Sequence, residues 1–478
     1  MRLFVTVTAL VLVASACSDS STSPKSNEAT IRGVSVAPNP NSVLSAIVTL
    51  TAEHAESASV SFSSLTDPGS STPWYPVANS FGHITVLGML ANMTYTLVVH
   101  VAGRTTASDT IQFTTGALPN LIQQMSLTLS QGTLGSGYTL LAALSTTDTV
   151  TAVAFDSIGR VRWYREIPGW NSGDIKMQHN GNFTAALSGV GGSMAGPGEY
   201  VEFSPDGNIV ATFNVPVGLP DIHEFWLTGD SVAGYSAHMW AYAEIRQLDL
   251  AGVGPGGTAN EPEYGHTLFR ASQNGDVQFA YTTWNYYGVA DWIEPTCCAP
   301  NLDFDHPNVI DFAPDSNYII SFRNFGAVAK IDRANGKRLW QLGGTQSTLT
   351  FLNDPLGFFS GQHNAHFLAN GDLVVFDNGL RHNPPHSRAA EYAINESAKT
   401  ATLVWEYEPQ PMVFASFIGS VGRLSNGNTL VGFGALGQID EVDPVDNLLA
   451  RAFFTSSGKM AQFYRAYRLP SLYKYQAP

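Results

Sequence analysis

The feature that most limits how this chain can fold is a repeated hairpin pattern. An apolar strand, a tight turn and a second strand recur in MQHNGNFTAAL, FWLTGDSVAGY, FLANGDLVVFD and RLSNGNTLVGF. Asn-Gly and Asp-Gly pairs between such strands favour two-residue β-hairpins. The turns lie at Gly181, Gly229, Ser316, Gly371 and Gly427, with Ser316 standing in for glycine. The pattern therefore predicts five β-units of one kind.

A second hairpin accompanies the first in each unit. It begins with Asp, has Gly three or four residues later and Trp four residues after that, as in Asp156 to Trp163 and Asp332 to Trp340. Two hairpins make a four-stranded unit of roughly 40 to 50 residues, which is the period of a β-propeller blade. With a sixth unit before Trp163, we predict a six-bladed β-propeller over residues 118–478. A β-sandwich array and a β-helix are the alternatives.

The composition agrees with an all-β protein. The 478 residues include 44 Gly and 26 Pro, and only 13% are charged, whereas about a quarter is usual. Residues 30–117 hold shorter alternating segments such as TYTLVVHVAG, which predict a small fibronectin-III- or Ig-like β-sandwich, with Tyr95 placed as in a tyrosine corner. A net charge of -15 without a Lys/Arg run excludes nucleic-acid binding.

The first residues predict the cellular location of the protein. A basic start at Arg2 and an apolar stretch from Phe4 to Ala16 are typical of a secretory signal, too short to span a bilayer. The stretch ends in VASAC, which resembles a lipobox, so we expect cleavage before Cys17 and lipidation of its thiol. Ordinary signal-peptide cleavage is the alternative. Residues 18–29 read as a disordered tether, and Ser18 favours sorting to the outer membrane. The expected location is the periplasmic side of a bacterial envelope, with membrane contact through the lipid anchor only.

The stretch from Ala251 to Asp305 lengthens one interval of the repeat and is rich in Gly, Pro, Tyr and Trp. We expect it to form a lid or rim on one face of the propeller. It contains the adjacent Cys297 and Cys298, which could form a strained disulfide or stay as two thiols. A cysteine metal site is not indicated, because the sequence has no second cysteine pair.

Three histidines recur at similar positions in separate units. His223, His306 and His363 precede their turn residues by 6, 10 and 8 positions, and even spacings along a strand share one face. If these strands line the centre of a radial repeat, the three imidazoles converge on one axis. A single histidine in a strand is usually a packing residue, but recurrence of a group with a pKa near 6.5 indicates a functional site.

Two further residues suggest what the histidines could bind. Asn308 lies two residues after His306, and Arg323 ends the next strand. An amide, a guanidinium and imidazoles together suit a tetrahedral oxyanion. We expect the neighbouring Asp305 and Glu224 to point to the opposite face, which leaves no inward carboxylate. Three histidines could bind zinc, but Arg323 would oppose a cation, so we predict anion chemistry and no metal or cofactor.

Several motifs resemble one family. They are Asp221-Ile-His223 before FWL, His306-Pro-Asn308 before YIISFR, Gln362-His363 before FLANGDLVVFDNG, the stretch KIDRANGKRLWQLGG, and Arg388 to Tyr392. In this order they resemble the bacterial arylsulfate sulfotransferases over roughly residue 118 to the C-terminus. The resemblance implies a six-bladed propeller in the envelope that moves a sulfuryl group from an aryl sulfate to a phenol. No P-loop or other nucleotide cradle is evident in the sequence.

The resemblance also implies roles for the predicted site residues. The family's transiently sulfated histidine corresponds to His363, which makes the transfer ping-pong. Arg323, His223 and Asn308 would stabilise the sulfuryl oxygens, and His306 would exchange a proton with the phenols. A non-catalytic, envelope-anchored propeller scaffold is the alternative, and a metal-dependent propeller hydrolase ranks third. The natural donor and acceptor, and whether the chain forms a homo-oligomer, stay open.

Overall fold

The computed structural model describes residues 27–144, 149–188, 198–230, 234–251, 258–293 and 303–473. The predicted signal peptide with Cys17, most of the tether, and Cys297 and Cys298 lie outside the described residues. Within these ranges, no helix has the length and hydropathy needed to cross a bilayer. Strands account for most of the described residues, so the prediction of an all-β fold is confirmed.

The first part of the chain forms two sheets that enclose one apolar core. One sheet has the order β1-β2-β6 and the other β4-β3-β7-β8, with β5 paired to β3. Val48, Val60 and Leu97 belong to the core between them. The strands are β1 (Thr30–Asn39), β2 (Ser42–Glu53), β3 (Ala55–Ser63), β4 (Ser70–Ser71), β5 (Tyr75–Pro76), β6 (Phe81–Val86), β7 (Thr94–Gly103) and β8 (Thr106–Thr114).

The rest of the chain forms six further sheets, which we number 1 to 6 in chain order. A short helix, α1 (Asn120–Gln123), precedes them, and 3-10 turns lie at Thr283–Asn285, Val289–Asp291 and Gly434–Leu436. The strands are β9 (Met125–Gln131), β10 (Tyr138–Ala143), β11 (Thr149–Phe155), β12 (Val161–Pro168), β13 (Asn171–Met177), β14 (Phe183–Ser188), β15 (Gly198–Phe203), β16 (Ile209–Phe213), β17 (Leu219–Asp230), β18 (Gly234–Leu248), β19 (Glu261–Ala271), β20 (Val277–Thr282), β21 (Pro307–Phe312), β22 (Tyr318–Phe322), β23 (Ala327–Ile331), β24 (Arg338–Gly343), β25 (Thr350–Leu352), β26 (His363–Phe367), β27 (Leu373–Asp377), β28 (Arg388–Asn395), β29 (Thr400–Tyr407), β30 (Ser420–Arg423), β31 (Thr429–Phe433), β32 (Gln438–Val442), β33 (Leu448–Ser456), β34 (Lys459–Met460) and β35 (Phe463–Leu469).

Each of the six sheets is built mainly from consecutive antiparallel strands. Sheets 2, 3 and 4 are β13 to β16, β17 to β20 and β21 to β24, and sheet 5 is β26 to β29 with β25 added in parallel to β29. Sheet 1 combines β10 to β12 with the last strand, β35, and sheet 6 combines β30 to β34 with the early strand β9. The two ends of this region are therefore joined by backbone hydrogen bonds in two sheets.

One edge strand of each sheet contacts the corresponding edge strands of the two adjacent sheets, and these contacts form a closed series. Strand β35 contacts β13, and contacts continue through β17, β21, β26 and β30 back to β35. We call these six strands the ring. Apolar clusters fill the spaces between adjacent sheets, for example around Trp163 between sheets 1 and 2 and around Phe322 between sheets 3 and 4. Side chains that begin the ring strands are thereby directed to a common centre.

The expectation for residues 251–305 is partly wrong. Residues 261–271 and 277–282 form β19 and β20, which are regular strands of sheet 3, and not a separate lid or rim. The interval is long because β18 and β19 pair over 15- and 11-residue strands, out to Leu248 and Glu261. Residues 283–293 and 303–305 lie outside the strands of sheet 3, with 3-10 turns at Thr283–Asn285 and Val289–Asp291.

The N-terminal sheets are joined to sheet 1 by a buried ion pair. The Arg162 guanidinium donates from Nη1 to Asp67 Oδ2 at 2.7 Å and from Nη2 to Asp67 Oδ1 at 2.9 Å. Asp67 also accepts the Tyr95 hydroxyl at 2.6 Å, and Tyr95 accepts the Leu90 N–H at 2.8 Å, as a tyrosine corner requires. The corner and the ion pair share one carboxylate, which links the two regions.

Candidate active site

The structure brings the three predicted histidines together. His223 lies in β17, His306 immediately precedes β21, and His363 opens β26, so each comes from a ring strand. The ring centroids of His223 and His306 are 4.4 Å apart, and those of His306 and His363 are 6.4 Å apart. All three are at most 4% exposed. We call them the histidine cluster.

The hydrogen bonds of His363 determine which nitrogen carries its proton. Nδ1 lies 2.7 Å from Oδ1 of Asn378 and 3.0 Å from the carbonyl oxygen of Gly361, and both are acceptors. The Asn378 amide is oriented by its Nδ2, which donates to the carbonyls of Ala415 and Ile418 at 2.7 and 2.9 Å. Nδ1 must therefore carry hydrogen, and Nε2 is the nitrogen with the lone pair.

The surroundings also keep His363 uncharged. Burial lowers its pKa most, and the charges of His306 and Arg323 lower it further, to well below the usual value, although the bond to Asn378 acts in the opposite direction. Among the described residues, no hydrogen bond to Nε2 of His363 is found. The cluster thus contains a neutral imidazole with an available lone pair, as a nucleophile requires.

The expectation of no inward carboxylate is wrong. Asp221 accepts Nδ1 of His223 at 2.9 and 3.0 Å and also its backbone N–H at 2.8 Å. Asp303 accepts Nδ1 of His306 and, at 3.2 Å, its backbone N–H. Burial raises the pKa of both carboxyls, but the charges and hydrogen bonds of the histidines have the larger, opposite effect. The pKa of each carboxyl is therefore lowered, and both are ionised. Each of these two histidines has a carboxylate behind it.

A third aspartate and a fourth histidine extend this network. Asp305, expected to point away, bonds to Nδ1 of His266, and Nε2 of His266 lies 3.4 Å from Oδ2 of Asp221. His266, Asp303 and Asp305 place one ligand atom each within 4.8 Å of one another, so this buried group could hold a metal ion. In this structure, however, Asp303 and Asp305 each bond to a histidine Nδ1. The residues therefore form a hydrogen-bonded network in the state described.

Arg323 lies beside the histidine cluster, as predicted. It is 3% exposed, its Nη1 donates to Oδ1 of Asn324 at 2.8 Å, and its backbone N–H donates to the carbonyl of His306 at 3.0 Å. After burial, its charge is one of the causes that lower the pKa of His306 and of His363. For His306, burial lowers the pKa most, and the charge of Asp303 acts in the opposite direction. The site therefore contains a fixed cation close to the nucleophile.

Asn308 has a different contact from the one expected. Its Nδ2 donates to the carbonyl of Gln362 at 2.7 Å, and its carbonyl accepts Nη2 of Arg465 at 2.7 Å. Gln362 in turn donates to Ser321 Oγ and to two carbonyls of sheet 4. Asn308 is thus adjacent to the cluster and holds the residue before His363, while its amide oxygen Oδ1 is buried without a hydrogen-bond partner among the described residues.

The backbone of His306 is unusual. Its φ is 47°, in the left-handed region that residues other than glycine rarely adopt, and Pro307 follows it. Such a conformation costs about 1–3 kcal/mol and persists only where neighbours enforce it. Asp303 and Arg323 do so by bonding the N–H and the carbonyl of His306. The geometry at this histidine is maintained against local strain.

Several site residues were not predicted from sequence. Arg465 and Tyr464 on β35 are buried in the centre: Arg465 donates to Glu224 at 2.7 Å, and the Tyr464 ring lies 5.9 Å from His223. Asp221 lies two residues before His223 in the same strand, and this spacing could have predicted that the two side chains share a face. His266 and Arg465 come from other strands and had no local signal.

A cavity of about 390 Å³ lies along the same ring strands, but it is not the site of the histidine cluster. Its lining includes Lys176, Trp226 and His366, and none of the three clustered histidines. Glu224 and Arg465 also line it, and their ion pair lies between Asn308 and this cavity. We therefore place the candidate active site at the histidine cluster.

Comparison with known proteins gives one family match. The model of the arylsulfotransferase (ASST) family matches residues 288–474, so the resemblance inferred from the motifs is confirmed over that range. This range contains His306, Arg323 and His363 and leaves out His223. No curated protein matches the chain.

Solved structures give distant likenesses. A protein of unknown function from Bacteroides caccae is 12% identical, with 69% of this chain and 98% of that chain covered and a TM-score of 0.41. A virginiamycin B lyase from Staphylococcus aureus is 9% identical, with 71% and 98% covered and a TM-score of 0.35. Apo AztD from Citrobacter koseri is 10% identical, with 86% and 98% covered and a TM-score of 0.33.

Proposed function

We propose that this chain is an arylsulfate sulfotransferase that moves a sulfuryl group from a phenolic sulfate ester to a phenol through a sulfated His363. The family match at residues 288–474 supports an arylsulfotransferase activity in general. We further propose that sheets 1 to 6 are the six blades of a β-propeller and that residues 30–117 are a separate β-sandwich domain. The closed ring of six strands supports the first of these.

The observation that carries the proposal is the state of His363. Its Nδ1 is committed to two acceptors, burial disfavours its charge, and a guanidinium lies nearby. A neutral imidazole with a directed lone pair is a nucleophile, and a fixed cation is what the oxygens of a sulfuryl group need during transfer. A scaffold protein would not require this combination at its centre.

In the first half of the reaction, the lone pair on Nε2 of His363 attacks the sulfur of the donor. The S–Nε2 bond forms as the bond from sulfur to the aryl oxygen breaks, and the phenolate leaves with its electron pair. In this proposal Arg323 stabilises the sulfuryl oxygens, and His223 and Asn308 assist it. Burial lowers the pKa of His306, and the negative charge of the bound donor opposes this and favours the imidazolium. With Nδ1 bonded to Asp303, this imidazolium donates its Nε2 proton to the phenolate.

In the second half, the acceptor phenol replaces the departed phenol. His306, now neutral, removes the proton of the acceptor hydroxyl, and the phenolic oxygen attacks sulfur as the S–Nε2 bond breaks. His363 regains its lone pair, and the products are a new aryl sulfate and the original enzyme. Asp303 stabilises the imidazolium of His306 at each stage where it carries two protons.

The expected location also stays a proposal. We propose that the signal sequence directs the chain to the bacterial envelope and that Cys17 is lipidated. Incorporation of labelled fatty acid into the wild type, with none in Cys17→Ser, is the expected result. Labelling of the serine variant would contradict it.

Phenol-dependent turnover of 4-nitrophenyl sulfate tests the function. The purified protein without added metal should release nitrophenolate at a rate that rises with phenol concentration, and His363→Ala should lose this release. His238→Gln, which removes a fully buried histidine of sheet 3 outside the cluster, is the control and should retain it. A wild type without phenol-dependent release of nitrophenolate would contradict the transferase proposal. Activity retained in His363→Ala would contradict the assignment of His363 as the nucleophile.

A further inference from the structure

A buried histidine behind the cluster has no role in the reaction steps above. His266 lies on β19 and is fully buried, and its Nδ1 bonds to Asp305, whose other oxygen accepts the His266 backbone N–H at 3.1 Å. Its cross-strand partner Tyr242 packs against it, with ring centroids 4.1 Å apart. The imidazole is thus held on one edge by a carboxylate and on one face by an aromatic ring.

The opposite edge of the same imidazole faces the site. Nε2 of His266 lies 3.4 Å from Oδ2 of Asp221, and Asp221 holds both Nδ1 and the backbone N–H of His223. The contacts form one continuous line from Asp305 through His266 and Asp221 to His223. His266 bridges the two carboxylates, through a hydrogen bond to Asp305 and through an ion-pair contact to Asp221 that is not a hydrogen bond.

The charges explain why a histidine is needed at this position. Asp221, Asp303 and Asp305 are all buried, and Glu263, also buried, lies close enough to Asp303 that burial and this charge raise its pKa to about 7. Burial opposes a charge on His266, but Asp305 and Asp221 outweigh it and raise its pKa to about 10. Both ring nitrogens of His266 face carboxylate oxygens, so the ring lies where positive charge offsets the negative charge around Asp221.

We infer that His266 is a positioning residue: by bridging Asp305 and Asp221, it fixes the Asp221 carboxylate that holds the His223 ring with Nδ1–H toward Asp221 and Nε2 toward the cluster. The geometric part stands on the contacts alone, and the catalytic consequence rests on the proposed sulfuryl transfer. Without His266, Asp221 would lose its second partner and His223 would lose its single tautomer.

Two variants and one control test this inference. His266→Gln removes the imidazole but keeps a polar group, and Asp305→Asn weakens the bridge from its other end. His238→Gln is the matched control, because His238 is also a fully buried histidine of sheet 3 and its ring, among the described residues, bonds to Tyr318 and Thr228 and not to the cluster. Each protein is labelled with ¹⁵N-histidine, and the His223 ring signals are assigned from His223→Asn.

The wild type and His238→Gln should show a single His223 species with the proton on Nδ1. His266→Gln and Asp305→Asn should show a mixture of Nδ1–H and Nε2–H forms, and their kcat should fall about 10-fold or more at unchanged KM for the donor. If the wild type proves inactive, a changed His223 tautomer in His266→Gln and Asp305→Asn would still support the positioning role, while the proposed function would be removed.

Three results would overturn the inference. The first is an unchanged His223 tautomer in both His266→Gln and Asp305→Asn. The second is an equal change in His238→Gln, since any buried histidine would then have the same effect. The third is loss of the wild-type tautomer on treatment with EDTA and its return with Zn²⁺, because His266, Asp303 and Asp305 would then hold a metal ion.

Discussion

At the scale of single residues, the turns and the histidines were accessible to sequence reasoning. Ser316 has a φ of 66°, in the same left-handed region as Gly229 and Gly371 at 82° and 88°. It therefore occupies the turn position that the repeat assigns to glycine. This equivalence aligned the three units and made the recurring histidines visible.

The argument from even spacing was weaker than the alignment itself. Each of the three ring strands has a register shift beside its histidine: between Pro220 and Phe225, between Pro307 and Val309, and between His363 and His366. A bulge changes which face later residues occupy. The histidines converge because each lies in or immediately before an equivalent ring strand. Asp303 and Asp305 precede β21, so an argument from spacing along a strand did not apply to them.

Asn378 should be essential for efficient turnover although it does not contact substrate. Asn378→Leu removes the acceptor that keeps the proton on Nδ1 of His363, so part of the population would place it on Nε2. We expect kcat to fall about 10- to 100-fold with little change in KM. Steady-state kinetics with 4-nitrophenyl sulfate measure this. Asn39→Leu, at a buried asparagine of the N-terminal sheets, is the control and should alter stability only. Equal kcat losses in both variants would contradict the role.

Arg323 should affect the pH profile as well as the rate. After burial and His306, its charge is a further cause that lowers the pKa of His363. Arg323→Gln removes this cation, so the pKa of His363 rises and protonation inactivates the nucleophile at a higher pH. The acid limb of kcat/KM should therefore move to higher pH in the variant, besides a lower plateau. A profile that falls in height but keeps its acid limb would show that Arg323 does not act on His363.

At the scale of elements, one buried ion pair contributes to the contact between the N-terminal sheets and sheet 1, besides the hydrogen bond that the Val43 N–H donates to the Tyr164 hydroxyl. Asp67 and Arg162 are 1% and 8% exposed, and burial aside, their mutual bonds lower the pKa of Asp67 and raise that of Arg162. Removing the Asp67 carboxylate leaves Arg162 with one carboxylate partner, Asp156 at 2.8 Å, and weakens the acceptor of the Tyr95 hydroxyl. The sequence indicated both regions but not this link, because the residues are 95 positions apart.

Asp67→Asn should destabilise the protein by about 3 kcal/mol, the usual cost of breaking a buried ion pair from one side. Urea unfolding followed by tryptophan fluorescence measures the free energy of unfolding. Glu53→Gln, which breaks the exposed pair with Arg32, is the control and should leave the free energy of unfolding nearly unchanged. Similar effects of the two substitutions would contradict the proposed link. Activity per folded molecule should be unchanged in Asp67→Asn.

At the scale of the whole molecule, the repeat predicted the number of sheets after the N-terminal sheets. The pairing of strands from the two ends of this region, which closes the ring, could not be predicted. Sheets 1 and 6 each combine strands from both ends of the region, through β35 with β10 and β9 with β33. Such pairings join residues more than 300 positions apart, and the sequence gives them no local pattern. The long hairpin of β18 and β19 was misread for a related reason, since length alone does not tell a lid from a longer strand pair.

Closure predicts that the chain cannot fold without its last strand. A chain ending at Gln462 lacks β35, which supplies backbone partners for β10 and the buried Tyr464 and Arg465. We expect it to lose near-UV circular dichroism and a cooperative melting transition. A chain ending at Tyr473 keeps all of β35 and serves as the control. A cooperative transition for the shorter chain would show that ring closure is not required.

The central claim is that His363 carries the sulfuryl group between donor and acceptor. The most direct measurement is peptide mass spectrometry of protein mixed with 4-nitrophenyl sulfate without phenol, digested at alkaline pH to preserve an N–S bond. We predict one sulfuryl group on the peptide that contains His363, its loss on addition of phenol, and none in His363→Asn. Rapid phenol-dependent turnover by the wild type with no sulfuryl group on His363 at any time, or a sulfuryl group on another residue that phenol removes, would contradict the account.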